Sequence, residues 1–162
     1  MYKFNFVSTD NYELEYTNKS GEVVKKPFTR SVKVARDLES IQAEGRSMML
    51  KRMTDRGETR EDYIIKRLHA DGTITYDESN LRANEEMYIG LATLEIFSNI
   101  IRNLFNMELS KLFEDMGLDL NSNDEKDQLF ITGFLQKFSA VLTNGIEETG
   151  EDDAPPSIKD KK

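Results

Sequence analysis

Apolar and polar residues alternate at the start of the chain. In residues 2–6, and again in residues 12–16, every second side chain is aromatic or aliphatic and the side chains between are polar. This period of two predicts two half-buried strands, joined by a turn over residues 8–11. A short extended run at residues 22–26 predicts a third strand, which we expect Pro27 to end. The three strands would form an antiparallel meander, whose apolar face needs a helical layer to cover it.

The rest of the chain has apolar residues at helical spacing. The predicted helices cover residues 29–53, 59–68, 77–116 and 129–142. Gly45 is a weak point inside the first helix, and the longest one is expected to break near Asn106. Gly117 and Gly145 stand where helices end with a residue that tolerates positive φ.

Local motifs refine the helix starts. Thr59 with Asp62, and Ser122 with Glu125, both match the capping-box pattern that opens a helix. Residues 73–76 form a short extended piece at most. The body of the chain is therefore predicted to be helical.

These elements predict an α+β fold that is mainly α. An antiparallel hairpin or meander over residues 1–28 precedes a helical body over residues 29–145, and we expect one globular domain over residues 1–145. Residues 146–162 are acidic and contain two adjacent prolines. That composition predicts a disordered C-terminal tail.

The stretch at residues 87–107 is apolar over more than one side of a helix. A helix of this kind is buried on several sides, and two explanations stay open. It is either the central core helix of a monomer or a helix with one side covered by another subunit or a client protein. Nearby methionines suit an adaptable interface. The residues predicted to bind a partner are Leu94, Phe97, Ile101, Leu104 and Phe105.

Charge is distributed unevenly along the chain, whose net charge is −8. Residues 19–67 have thirteen basic and eight acidic groups, a net charge of +5, whereas residues 68–162 have eight basic and nineteen acidic groups, a net charge of −11. The basic residues alternate with carboxylates that would repel phosphate, so we expect no nucleic-acid partner. Contact between the basic segment and the acidic half of a neighbouring copy predicts a homo-oligomer.

The composition also limits location and redox chemistry. The chain has no cysteine, which excludes disulfides and thiolate sites. No apolar run is long enough to span a membrane, and residues 1–20 lack the pattern of a secretion signal. We therefore expect no membrane partner and a cytoplasmic protein, in the host cytoplasm if the chain is viral.

No motif predicts a catalytic or metal site. His69 is the only histidine and is predicted at the end of a short helix, where a histidine commonly interacts with the helix dipole. Asp119, Asn121 and Asn123 begin like a calcium loop, but its sixth position lacks glycine and its twelfth lacks glutamate. Phosphate-binding glycine motifs are absent. We expect no enzyme activity, no cofactor and no bound metal.

Four features of the chain occur together: the β-then-helical order, the apolar stretch at residues 87–107, the acidic C-terminal half and the ending IKDKK. With these features the chain resembles the tail assembly chaperones of long-tailed bacteriophages. The resemblance implies a protein that keeps a long coiled-coil tape-measure client soluble while the tail tube assembles, with the tail tube protein as a further partner. It also implies a longer form made by ribosomal frameshifting, for which Lys161 and Lys162 would mark the lysine-coding run.

A different class of function fits the acidic C-terminal half. A small acidic inhibitor, or DNA mimic, would place carboxylates like phosphates on one face and bind a basic nucleic-acid-binding protein. Its binding would compete with DNA and weaken in high salt.

Overall fold

A computed structural model of the protein describes residues 1–145 and the backbone of Gly150–Glu151. The fold in this range is α+β and mainly α, as predicted. Its strands are β1 Tyr2–Ser8, β2 Asn11–Thr17, β3 Val23–Thr29, β4 Ile65–Leu68, β5 Ile74–Asp77 and β6 Gly150–Glu151. Its helices are α1 Val32–Glu39, α2 Ile41–Asp55, α3 Ser79–Phe105, α4 Leu109–Asp115 and α5 Glu125–Asn144. The predicted disordered tail, residues 146–162, lies outside the described residues apart from β6.

The first three strands form the predicted antiparallel meander. The strand order of the sheet is β3-β2-β1-β6, and each neighbouring pair is antiparallel. Alternate side chains point into the core, and the buried set is Tyr2, Phe4, Tyr12, Leu14, Tyr16 and Phe28. On the other face Asn5 Nδ2 donates to the carboxylates of Glu13 and Glu15 at 3.0 and 3.1 Å. The period-two prediction is confirmed.

The third strand is longer than predicted. β3 continues through Pro27, which lies opposite Glu13 on β2. The prediction that Pro27 ends the strand is wrong because β3 is the edge strand of the described sheet. Proline is tolerated there, since an outward-facing N–H has no ladder partner to lose.

Two helices, α1 and α2, replace the single helix predicted over residues 29–53. The break falls at Ser40, the N-cap of α2, and Gly45 lies within α2. The prediction that the helix is weakest at Gly45 was therefore wrong, because the chain breaks five residues earlier. Gly45 has a packing role, described below.

The predicted helix over residues 59–68 is wrong in its second half. The Thr59 N–H donates to Asp62 Oδ2 at 2.7 Å, as the capping pattern predicts, but the segment that follows is a 3₁₀ turn, Arg60–Tyr63. Next in the chain, β4 pairs antiparallel with β5. That pairing supplies backbone hydrogen bonds from the strand that follows the turn at residues 69–73, and it confirms the extended piece predicted at residues 73–76.

The long helical region breaks where predicted. α3 ends at Phe105, Asn106 takes a left-handed φ of 54°, and α4 begins at Leu109. Arg102 donates to both carboxylate oxygens of Glu108 at 3.2 and 2.9 Å. This contact lowers the pKa of Glu108 and holds the two helices at the break.

α5 begins before the apolar run predicted at residues 129–142, but its cap lies two residues after the one predicted at Ser122. Its N-cap is Asp124, whose side chain accepts from the Lys126 N–H at 2.8 Å. Ser122 was predicted to be the cap, but its hydroxyl accepts from the Asp124 N–H instead. The prediction that Gly145 ends this helix is confirmed by its φ of 73°.

The chain divides into two units. Unit 1 consists of Met1–Leu38 and Phe97–Lys162, and unit 2 consists of Glu39–Ile96. The sequence predicted a single domain over residues 1–145. The division adds a boundary that crosses α3, which belongs partly to each unit.

The core of unit 1 is aromatic. Phe138 on α5 is fully buried and stacks on Phe4 of β1 with ring centroids 5.3 Å apart. Its ring also contacts Phe28 of β3 edge to face, at 5.3 Å. Such pairs stabilise a core beyond the area that they bury. α5 is thus the helical cover that the meander requires.

Arg30 ties the sheet to the end of α5. Its guanidinium donates to the carbonyl oxygens of Leu142 and Thr143 at 3.4 and 2.9 Å. It also donates to Asp10 Oδ1 at 3.2 Å, in the turn between β1 and β2. The last carbonyls of a helix lack intrahelical partners, so this contact caps α5.

Tyr16 ties the sheet to α4. It is 1% exposed and its hydroxyl donates to Asp115 Oδ2 at 2.5 Å. Burial, followed by the hydrogen bond to Asp115, raises the pKa of Tyr16. The phenol therefore stays protonated and keeps its donor role.

Candidate partner-binding site

One face of α3 within unit 2 is apolar and exposed. Met87, Leu91 and Leu94 are 53%, 47% and 37% exposed, and Ala83 and Gly90 are exposed beside them. We call these five residues the α3 seam. Four of them, Ala83, Met87, Gly90 and Leu94, are separated by steps of four, three and four residues and so follow a single line on the helix surface, about 16 Å long, with Leu91 next to Gly90.

The other side of this part of α3 packs against α2. A methyl group added at Gly45 would lie 2.6 Å from Ile89 Cα, so the two backbones are in contact at this point. Tyr88 is buried in a cluster with Met49 and Met53 of α2. α2 therefore covers one side of α3 and leaves the seam to solvent.

The seam has a hollow between larger side chains. A Cβ added at Gly90 would meet no atom within 4 Å. Glycine at such a place lets another backbone or side chain come close. Met87, Leu91 and Leu94 rim this hollow, and a row of that kind can accept the apolar side chains of a second helix.

Carboxylates flank the seam. Glu86 and Glu95 are exposed and adjoin it in sequence. Glu85, one position before, pairs with Arg46 of α2 at 3.3 Å. The rim next to the apolar residues is thus acidic, which favours a partner with basic residues beside its own apolar stripe.

The residues predicted to bind a partner do not share one surface. Leu94 lies in the seam, as its predicted role requires. Phe97 and Ile101 are 2% and 0% exposed and belong to the core of unit 1. Phe105 is half-buried against two aromatic rings of the same core. Phe97 and Ile101 are therefore placed to stabilise the fold.

Leu104, the fifth residue, lines an open groove in unit 1. The groove holds about 560 Å³ and its apolar walls include Tyr12 and Phe28. Its polar wall includes Asn11, whose Oδ1 accepts from the Thr29 hydroxyl at 2.8 Å. Small-molecule sites have a few polar groups converging on an enclosed pocket. This groove is open, so it offers a contact surface and not an enclosed small-molecule site.

The residues considered for chemistry make local hydrogen bonds. His69 follows β4, where its Nε2 is 2.8 Å from Thr75 Oγ1, so its predicted place at a helix end was wrong. Asp119 accepts from the Asn121 N–H at 2.9 Å and shapes a turn. In the part of the chain that the structure describes, no three metal-ligating side chains come together.

Sequence reasoning missed most of the seam. Of its five residues only Leu94 was predicted to bind a partner. The signal that could have found Ala83, Met87 and Gly90 is the four-three-four spacing that joins them to Leu94. Two of these residues are small, and a search for large apolar groups passes over them.

Among residues 1–145 and 150–151, no helix is long and apolar enough to cross a membrane. Comparison of the chain with protein-family models, curated proteins and solved structures finds no match.

Proposed function

We propose that the protein is a non-enzymatic assembly chaperone whose α3 seam binds a helical segment of a long coiled-coil client and keeps that client soluble. The observation that carries this proposal is the seam itself, a line of exposed apolar residues on a helix whose other side is packed. Exposed apolar patches on globular proteins commonly mark interaction surfaces.

A client helix would lie along the seam with its apolar stripe facing Met87, Leu91 and Leu94, in the helix-in-groove mode of recognition. Covering a half-exposed side chain of this size contributes about 1 kcal/mol, so the three together favour a reversible contact. Reversibility suits a chaperone, because the client must leave when it assembles.

The class of client follows from the seam and from the resemblance to phage tail assembly chaperones. A tape-measure-like coiled coil presents a long apolar stripe before it is enclosed, and the tail tube protein would be the second partner. Glu86 and Glu95 favour client segments with lysine or arginine beside the stripe.

The experiment is co-expression of the protein with the long coiled-coil protein encoded nearest to it in the native host. The fraction of client that stays soluble is compared for the wild type and for the double variant Leu91→Glu, Leu94→Glu. Leu129→Glu is the matched control, because Leu129 is 66% exposed on α5, outside the seam.

The proposal predicts a soluble client with the wild type and with Leu129→Glu, and an aggregated client with the seam variant. A client that stays equally soluble with the folded seam variant would contradict it. Recovery of a nuclease or DNA-binding protein on the tagged wild type, in competition with DNA and lost in high salt, would support an acidic inhibitor instead.

A further inference from the structure

The β4–β5 hairpin in unit 2 is exposed along its whole length. Ile65, Leu68, Ile74 and Tyr76 are 40%, 75%, 44% and 63% exposed. A two-stranded hairpin with no packed face is marginal by itself in water. Its apolar side chains therefore need another surface.

The two faces of this hairpin differ. The register places Leu68 opposite Ile74 and Lys66 opposite Tyr76, so one face has three apolar side chains and one lysine stem. On the other face Arg67 pairs with Asp77 at 3.3 Å. The apolar face is the one left without cover.

The turn of the hairpin is well formed. Asp71 Oδ1 accepts from the backbone N–H and the hydroxyl of Thr73 at 3.0 and 2.6 Å, and Gly72 takes the positive φ of 85° that the turn needs. The strands are thus held ready for pairing, which lowers the cost of ordering on association.

The two edges of the hairpin are unequal. β4 has Lys66 and Arg67 in its middle, and charged residues at an edge oppose pairing with another strand. β5 has no charge before its last residue, Asp77. The edge of β5 is therefore the one open to a further strand.

The hydrogen-bond pattern gives the register. The His69 N–H donates to the Thr73 carbonyl at 2.8 Å, and bonded and non-bonded pairs alternate along an antiparallel ladder. Thr75 is then bonded to β4, and the N–H and C=O groups of Ile74 and Tyr76 point away from β4. A new strand would bond to these two residues.

We propose that two copies of the chain join through antiparallel pairing of β5 with β5, with Thr75 opposite Thr75 of the second copy. In this register Ile74 faces Tyr76 of the second copy, which makes two aromatic–β-branched pairs on the apolar face. The outward backbone groups of both residues are satisfied as well. A shift by one residue would set apolar side chains opposite the polar face.

A second copy fits better than an unrelated peptide because the strand is complementary to itself about a two-fold axis. No charged side chain meets a like charge, since Asp77 falls opposite Thr73. The resulting four-stranded sheet has Leu68, Ile74 and Tyr76 of each copy on one continuous face. The interface is small, so the dimer is weak and depends on concentration. This pairing is independent of the α3 seam and of the proposed function.

The test uses Thr75, which meets itself at the axis. Sedimentation equilibrium of the full chain over a concentration series is expected to show a reversible monomer–dimer equilibrium for the wild type. Thr75→Lys and Thr75→Glu each place like charges in contact, so each variant alone is expected to be monomeric at concentrations where the wild type is mainly dimeric. An equimolar mixture of the two is expected to form a heterodimer, identified by native mass spectrometry. Thr75→Val is the control, because it loses the contact with His69 as both charged variants do but adds no charge. It is expected to dimerise.

Three results would overturn the proposal. The first is a wild type that stays monomeric at every concentration, and the second is dimerisation of Thr75→Lys and Thr75→Glu alone at the wild-type level. The third is dissociation of the dimer by the double variant Leu91→Glu, Leu94→Glu, which would assign self-association to the α3 seam.

Discussion

Gly45 makes the packing of α2 on α3 possible, and its replacement by alanine should destabilise unit 2. The added methyl would lie 2.6 Å from Ile89 Cα, 2.8 Å from Ile89 N and 2.7 Å from Ile89 Cγ1. Two of these three atoms are backbone, so a change of side-chain rotamer cannot remove the clash. The helices must move apart, which also loosens the cluster of Met49, Met53 and Tyr88.

The magnitude is a difference between two terms. Alanine in place of glycine inside a helix gains about 1 kcal/mol of intrinsic helix stability. Forcing an extra methyl into a packed contact costs typically about 1–3 kcal/mol, and a backbone contact lies at the upper end of that range. We therefore expect Gly45→Ala to lower the free energy of unfolding by about 1–2 kcal/mol.

The assay is urea unfolding followed by the helical circular dichroism signal, with Gly133→Ala as the matched control. Gly133 is also inside a helix, α5, but a Cβ there would meet nothing within 4 Å. The control is expected to gain up to about 1 kcal/mol. If Gly45→Ala gained as much as Gly133→Ala, the close contact of α2 with α3 would be refuted.

Three further changes test polar contacts. Arg30→Lys loses the forked contact with the end of α5, and we expect the free energy of unfolding to fall by about 1–2 kcal/mol in a urea titration. Tyr16→Phe leaves Asp115 without its buried donor, and we expect a similar loss of about 1–2 kcal/mol in the same titration. Asp77 has a pKa lowered from 3.8 to about 2, chiefly by hydrogen bonds from Ser79. Its ionised form therefore stabilises the fold above about pH 4, and this contribution is lost as the pH falls through about 2. Asp77→Asn should be less stable than the wild type at pH 7 and equal to it below about pH 2, as thermal unfolding across pH would show.

Each of these has a control or a contrary result. The control for Arg30→Lys is Arg36→Lys, which changes an exposed arginine of α1. The control for Tyr16→Phe is Tyr76→Phe, which changes an exposed tyrosine. Both controls should leave the free energy of unfolding unchanged. If the controls lowered the free energy of unfolding as much as Arg30→Lys and Tyr16→Phe, the stabilising role of the Arg30 and Tyr16 hydrogen bonds would be contradicted. An Asp77→Asn deficit that persists unchanged at the lowest pH would contradict the assignment to its charge.

The parts of the fold that local chemistry decides could be predicted from the sequence. The period of two in the first strands, the break at Asn106 and the helix end at Gly145 were all found. Each depends on residues within a few positions, whose side-chain pattern or backbone freedom acts in any context.

The parts decided by pairing and packing with other segments could not be predicted. Pro27 continues its strand because of its place at a sheet edge, which the sequence near it does not contain. Residues 65–68 resemble a helix end as much as a strand, and their pairing with β5 decides between the two. The Gly45 contact with Ile89 joins residues more than forty positions apart.

The candidate site was predicted only in part for a related reason. The long helix is apolar on several sides, and the sequence does not reveal which side the rest of the chain covers. Phe97 and Ile101 face the core of unit 1, whereas Leu94, only a few positions earlier, is exposed. Spacing along one helix therefore identifies an apolar stripe, and tertiary packing decides whether it is core or surface.

Binding of a helical client to the α3 seam can be followed by methionine methyl NMR. The chain has seven methionines, of which Met87 lies on the seam while Met49 and Met53 of α2 are buried. With methyl-labelled methionine, and Met87 assigned through Met87→Leu, a helical segment of the coiled-coil client is added in steps. We expect the Met87 resonance to shift or broaden with client concentration while those of Met49 and Met53 stay in place. A client that binds without changing the Met87 resonance, or that does not bind at all, would contradict binding at the seam.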